Sequence, residues 1–291
     1  DRRQRQMCIR DRNYTLWYYY DNIHSHYHNM NIFPCMILTS DSALLYTADG
    51  QSGIFYSNTA VIHMLQEIYD TYLEQCSQLF LATTFSPDNF SNVFRTVFEA
   101  DETAPTFALQ PEVCVTPFIS ESILRESFNY ELPHSEEIFR NATAAFAGNM
   151  RRLTDSQTFV YFTADGLMQF AASGRTAEIP EIFYHKFTPE QRIQMLRGVE
   201  ASCRDGSYRI LQNPLNHIPS NLHLCIRGNI GTLIFQKFNG EVMLFTIQEY
   251  GLLETFLDYL QNMQESCFYT TEEAAAYVQD IICRLENGSL E

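Results

Sequence analysis

Lysine is almost missing from this chain: Lys186 and Lys237 are the two in 291 residues. After Arg12 no Lys or Arg follows until Arg95. Affinity for nucleic acid rests mainly on Lys and Arg neutralising phosphates, so so few cations argue against a phosphate-binding body. The chain as a whole carries a formal charge of −16. An acidic surface of this kind also disfavours anionic membranes. No apolar run approaches the roughly 18–20 residues that a membrane-spanning helix needs. The basic start is followed by Tyr- and His-rich sequence instead of an apolar stretch, so no signal peptide is expected there.

Cysteine is present without pairing patterns. Cys8, Cys35, Cys76, Cys114, Cys203, Cys225, Cys267 and Cys283 are scattered, and none forms a C-x-x-C. Several lie in apolar contexts, such as Val113-Cys114-Val115 and Leu224-Cys225-Ile226. A free cysteine behaves there as a small hydrophobe, and a reduced, cytoplasmic protein is the expectation. Catalytic signatures are missing as well. The sequence holds no G-x-S-x-G, H-E-x-x-H, Walker loop, G-x-G-x-x-G or kinase set. Neither a catalytic residue, a metal ligand nor a cofactor is therefore assigned. On a strand the imidazoles of His24, His26 and His28 would share one face, and on a helix those of His24 and His28 would, but no partner cluster with ligand spacing stands elsewhere. A solvated polar stretch is the reading adopted for them.

What is present begins with an anomaly. Residues 1–12, Asp-Arg-Arg-Gln-Arg-Gln-Met-Cys-Ile-Arg-Asp-Arg, hold five arginines and two aspartates. They resemble a translated sequencing-library adapter and are expected to be non-native. Without them the rest holds 14 basic and 33 acidic residues, a net of −19. Residues 13–33 match neither the helical nor the strand period and suit a linker or a truncated helix.

The remainder predicts an α+β fold of mixed helices and short antiparallel strands. An amphipathic helix is expected from about Asn58 to Leu79, with Val61, Ile62, Leu65, Ile68, Tyr69 and Tyr72 at i, i+3, i+4 spacing. Ser86-Pro87-Asp88, Thr116-Pro117, Ser135-Glu136-Glu137 and Thr188-Pro189-Glu190-Gln191 read as helix starts. Thr158–Phe162 reads as a strand. Leu222–Ile226, Thr232–Phe238 and Val242–Ile247 read as a three-stranded meander, joined in part by the hairpin dipeptide Asn239-Gly240. Helices near 249–264 and 271–286 follow it, the second opened by Thr270-x-x-Glu273 and closed by Asn287-Gly288.

Segment 37–50 echoes segment 161–174 at a constant offset, each a strand running into a Thr-x-Asp turn. A shorter rival register pairs 46–50 with 162–166. The echo predicts two related lobes, 34–153 and 154–291, with Thr39, Asp41, Thr163 and Asp165 as candidate ligand-binding residues. Hydroxyl and carboxylate together offer hydrogen bonds to a small molecule.

In the C-terminal half, Phe162-Thr163-Ala164-Asp165-Gly166-Leu167-Met168-Gln169-Phe170 precedes Thr188-Pro189-Glu190-Gln191. Asp205-Gly206-Ser207-Tyr208 and Tyr269-Thr270-Thr271-Glu272-Glu273 follow. This order, over roughly residues 30–287, resembles the region behind the DNA-binding domain of some bacterial helix-turn-helix transcriptional regulators. The resemblance implies a sensor region that answers a small-molecule or protein signal, as a homodimer, with DNA contacts made by a domain upstream. No helix-turn-helix with a basic recognition helix is read within 13–291, so these residues are not expected to bind nucleic acid directly. A small-molecule enzyme with a site between two lobes, or a protein-interaction module, is the alternative.

Overall fold

In the computed structural model the described residues are 15–20, 33–90, 104–155, 158–212, 222–236 and 242–290. They form an α+β structure, and the chain divides into two units, residues 1–80 and 81–291.

In the first unit, β2 (Cys35–Leu38), β3 (Ala43–Tyr46) and β4 (Gly53–Tyr56) make an antiparallel meander. Gly50 turns the second hairpin at φ +69°, a conformation that suits glycine. Helix α1 (Thr59–Leu73) follows, with Asn58 Oδ1 accepting from the amides of Ala60 and Val61 at 2.9 and 3.4 Å. The helix stops short of Leu79, where its apolar spacing pointed. Residues 77–78 are drawn out as β5 (Ser77–Gln78) and pair with β1 (Trp17–Tyr18).

The second unit is built on one seven-stranded sheet. Its strands are β6 (Leu81–Thr84), β7 (Thr106–Leu109), β8 (Thr158–Thr163), β9 (Tyr208–Leu211), β10 (Leu222–Arg227), β11 (Ile230–Gln236) and β12 (Val242–Ile247). Their order is β6-β12-β11-β10-β7-β8-β9. The C-terminal meander is present as β10, β11 and β12, all antiparallel, while the expected hairpin dipeptide Asn239-Gly240 lies outside the described residues. The other half corrects the expectation of antiparallel strands, because β7, β8 and β9 are parallel. Parallel neighbours need long crossovers, and the chain supplies them as helices. Between β7 and β8 lie α2 (Glu121–Ser127) and α3 (Ser135–Thr154). Between β8 and β9 lie α4 (Ala164–Ser173) and α5 (Pro189–Asp205). The expected lobe boundary near 153 therefore falls inside one sheet, where β7 pairs with β8 across it.

Helices cover both faces of this sheet. On one face, Val160, Phe162, Tyr208 and Ile210 join side chains of α2, α3, α4, α5 and the C-terminal helix α7 (Thr271–Glu286) in a single core. On the other, α6 (Tyr250–Gln261) crosses β11 at Gly231, where a Cβ would run into Leu253. Tyr161 packs there against Phe268, ring centroids 4.9 Å apart. Of the helix starts read from sequence, Thr188 with Gln191, and Thr270 with Glu273, each close a reciprocal capping box. Ser86-Pro87 and Thr116-Pro117 open three-residue 3-10 turns, and α2 begins at Glu121 with Ser120 as its N-cap.

Candidate functional site

Alternation along the strands sets one wall of a cavity in the second unit. Thr106, Ala108 and Gln110 from β7 and its end point to the same face as Thr158 and Val160 of β8. Across β10 and β11, the register brings Cys225, Arg227, Thr232 and Ile234 onto that face too. The facing wall is one stripe of α3: Ile138, Ala142, Phe146, Asn149 and Arg152, at helical spacing. Segment 174–188 closes the side with Glu178, Phe183, Tyr184 and Phe187. The cavity, partly open to solvent, has a volume of about 140 Å³, close to the roughly 150 Å³ of an apolar cavity able to hold benzene.

The walls are mainly apolar and aromatic. Phe90 and Phe183 stand 5.0 Å apart, and Tyr184 and Phe187 5.1 Å. Several polar groups in the lining are satisfied by the protein. Arg227 Nε donates to Thr106 Oγ1 at 2.9 Å, Arg152 donates to Asn149 Oδ1, and Asn149 Nδ2 donates to Thr116 Oγ1 at 3.4 Å. The Tyr184 hydroxyl accepts from the Thr176 amide at 2.8 Å and donates to the Thr176 carbonyl at 3.2 Å.

Two are not. Gln110 is 4 % exposed, and its Nε2 is buried with no hydrogen-bond partner. Glu178 Oε2 is buried in the same condition. Burial pushes the Glu178 carboxyl up to about 7; the Cys114 thiol and the Gln110 amide beside it offset part of that, and the Glu112 charge adds to it. An unsatisfied buried polar group costs about 1–3 kcal/mol, so two on one cavity need an explanation. The neighbouring thiols do not provide it through chemistry of their own. Burial raises Cys114 well above the ordinary thiol range and raises Cys225 too, which keeps both protonated and poorly nucleophilic.

The residues singled out from sequence stand elsewhere. Thr39 and Asp41 sit in the exposed β2–β3 hairpin turn, where Thr39 Oγ1 donates to Asp41 Oδ1 at 2.9 Å. The bond holds Asp41 below the usual carboxylate range. Thr163 and Asp165 are placed differently, at the start of α4. Thr163 is the N-cap, accepting from the Gly166 amide at 3.0 Å and donating to the Pro111 carbonyl at 2.7 Å. Asp165 is exposed in the first turn of the helix. The two Thr-x-Asp segments are thus a hairpin turn and a helix cap. The rival segment is also a hairpin turn, with Thr47 Oγ1 donating to Asp49 Oδ1 at 2.5 Å. His24, His26 and His28 lie outside the described residues. Among the described residues, no three His, Cys, Asp or Glu side chains gather to hold a metal ion.

Sequence reasoning passed over Gln110 and Glu178. Neither sits in a motif, and what marks them is a partner that the fold fails to supply. No helix among the described residues is long and apolar enough to cross a membrane.

No family model matches the chain. No curated protein matches it either. Among solved structures, the chain is similar to that of TrmBL2, an archaeal chromatin protein described as showing a novel mode of DNA binding. The identity is 9% and the TM-score 0.29, with 69% of this chain and 58% of that one covered. The match thus spans little more than half of that protein's length.

Proposed function

We propose that the second unit is a ligand-binding regulatory domain, with a small molecule held in the cavity between the sheet and α3. The observation that carries this reading is the pair of unsatisfied groups, Gln110 Nε2 and Glu178 Oε2, in a mainly apolar space of ligand size. Natural folds leave few buried polar atoms unpaired, and a bound molecule supplies what is missing. Occupancy would brace α3 and segment 174–188, which both line the space, and so favour one arrangement of the domain over another. The resemblance of residues 30–287 to the region behind the DNA-binding domain of helix-turn-helix regulators supports a role in transcription regulation, with a homodimer as the responding form. Seven described cysteines, all free, support a cytoplasmic setting.

A thermal-shift titration with toluene tests the reading. Toluene raises the Tm of the unmodified chain, and Ala142→Leu, which fills the cavity from α3, removes the rise while circular dichroism stays native. A Tm unmoved by toluene and by polar aromatics of the same size overturns it. A second reading, a small-molecule enzyme, is favoured by the Glu178 carboxyl at about 7, the range in which a side chain both gives and takes protons near neutral pH. Conversion of a bound compound, lost in Glu178→Gln with binding retained, would decide for it.

A further inference from the structure

We infer that the occupant of the cavity carries an uncharged amide-type edge, one hydrogen-bond acceptor beside one donor, on an apolar body. The inference rests on the reading that this cavity binds a small molecule. Gln110 Nε2 is a buried donor without an acceptor. Glu178 Oε2 is a buried oxygen without a donor. The two side chains are neighbours: the Gln110 amide lies within reach of the Glu178 carboxyl and stabilises its charge, but Nε2 and Oε2 close no well-formed hydrogen bond. A primary amide or a lactam meets both at once: its carbonyl accepts from Gln110, and its N–H donates to Glu178.

Charge selects against the alternatives. Arg152 and Arg227 line the same space, and both act on Cys225 in the sense opposite to Glu178. A cationic head, though drawn to Glu178, would be repelled by the two guanidinium groups, and an anionic head, though drawn to the arginines, would abut the Glu178 carboxylate at the Gln110–Glu178 edge. Burying a charge beside one of its own sign is costly in a low-dielectric site. The uncharged edge incurs neither cost. The rest of the lining, including Phe90, Phe146 and Phe183, asks for an apolar and preferably flat body.

Four probes of one size decide the matter on the full chain at pH 7.5: benzamide, benzoate, benzylamine and toluene, with affinities from calorimetry or ligand-detected NMR. Benzamide is expected to bind at least about tenfold more tightly than the other three, the size of effect that one or two net hydrogen bonds give. Gln110→Leu and Glu178→Leu each erase most of that advantage without weakening toluene. Glu178→Gln, which keeps an acceptor oxygen, retains it to within a few-fold. Toluene binding as tightly as benzamide overturns the inference and leaves the cavity reading standing. Benzoate or benzylamine binding more tightly overturns it as well. Failure of all four probes overturns the cavity reading itself. If a leucine variant does not fold, the ranking of the four probes on the unmodified chain still decides.

Discussion

Replacing Glu178 by Gln tests the electrostatics of the cavity most directly. The carboxyl stands at about 7 in the folded chain against an ordinary 4.5, chiefly because it is buried. Its folded value is raised, so the folded protein holds the proton more tightly than the unfolded one. The stability this contributes is fully present below pH 4.5 and is lost as pH rises through 7. At about 1.4 kcal/mol per unit, the loss by pH 8.5 is at most about 3 kcal/mol. Glutamine has nearly the same shape and never ionises. Urea denaturation followed by circular dichroism, run on both chains from pH 4.5 to 8.5, should therefore show similar stabilities at the acid end. The variant should gain steadily and lead by up to about 3 kcal/mol at the alkaline end. Comparing two chains matters, because Glu112 is also raised by burial and pulls the same way, while His223 opposes both at acid pH. A stability difference that stays flat across this range would refute the argument that an ionisable group is buried there.

His223 supplies a prediction of the opposite sign. Burial lowers it to about 4 from 6.5, so stability present above pH 6.5 is lost as pH falls toward 4. Both ring nitrogens are buried without a partner, and His223→Leu should gain on the parent chain as pH falls over that window, by up to about 3 kcal/mol in the same urea series. Gly166→Ala should destabilise by about 1–3 kcal/mol, because the new Cβ would overlap the Pro111 carbonyl where α4 passes beneath the β7 loop; an unchanged Tm would contradict that close approach. Thr163→Val removes the α4 N-cap and its bond to Pro111, with an expected loss of about 1–2 kcal/mol and no effect on toluene binding. If toluene affinity falls with it, Thr163 belongs to the site after all.

Local chemistry was legible wherever it was also sufficient. The capping boxes at Thr188 and Thr270 form as their residues dictate, since cap and partner lie three positions apart and need nothing from the rest of the fold. Helix α7 runs over the same residues, 271–286, that its signals mark. The β10–β12 meander also reads directly, because short connections leave antiparallel pairing as the local solution. Helix α4 was hidden: its first residues, Ala164-Asp165-Gly166, look like a turn, and Gly166 is there to let the Pro111 backbone pass rather than to break the helix. Thr39-x-Asp41 and Thr163-x-Asp165 look alike for a related reason. The same short-range hydrogen bonds serve a hairpin turn and a helix cap.

Sequence by itself determined the acidic balance, the α+β class, the caps and the C-terminal meander, all properties of single residues or near neighbours. Tertiary structure alone decided that β7, β8 and β9 run parallel across position 153, since pairing over 48 intervening residues depends on how α2 and α3 pack. It also decided the site. Gln110 and Glu178, 68 positions apart, become conspicuous once the folded chain surrounds both and leaves an atom of each without a partner. An unsatisfied hydrogen bond is a property of everything around a residue, and no pattern in its own neighbourhood records it.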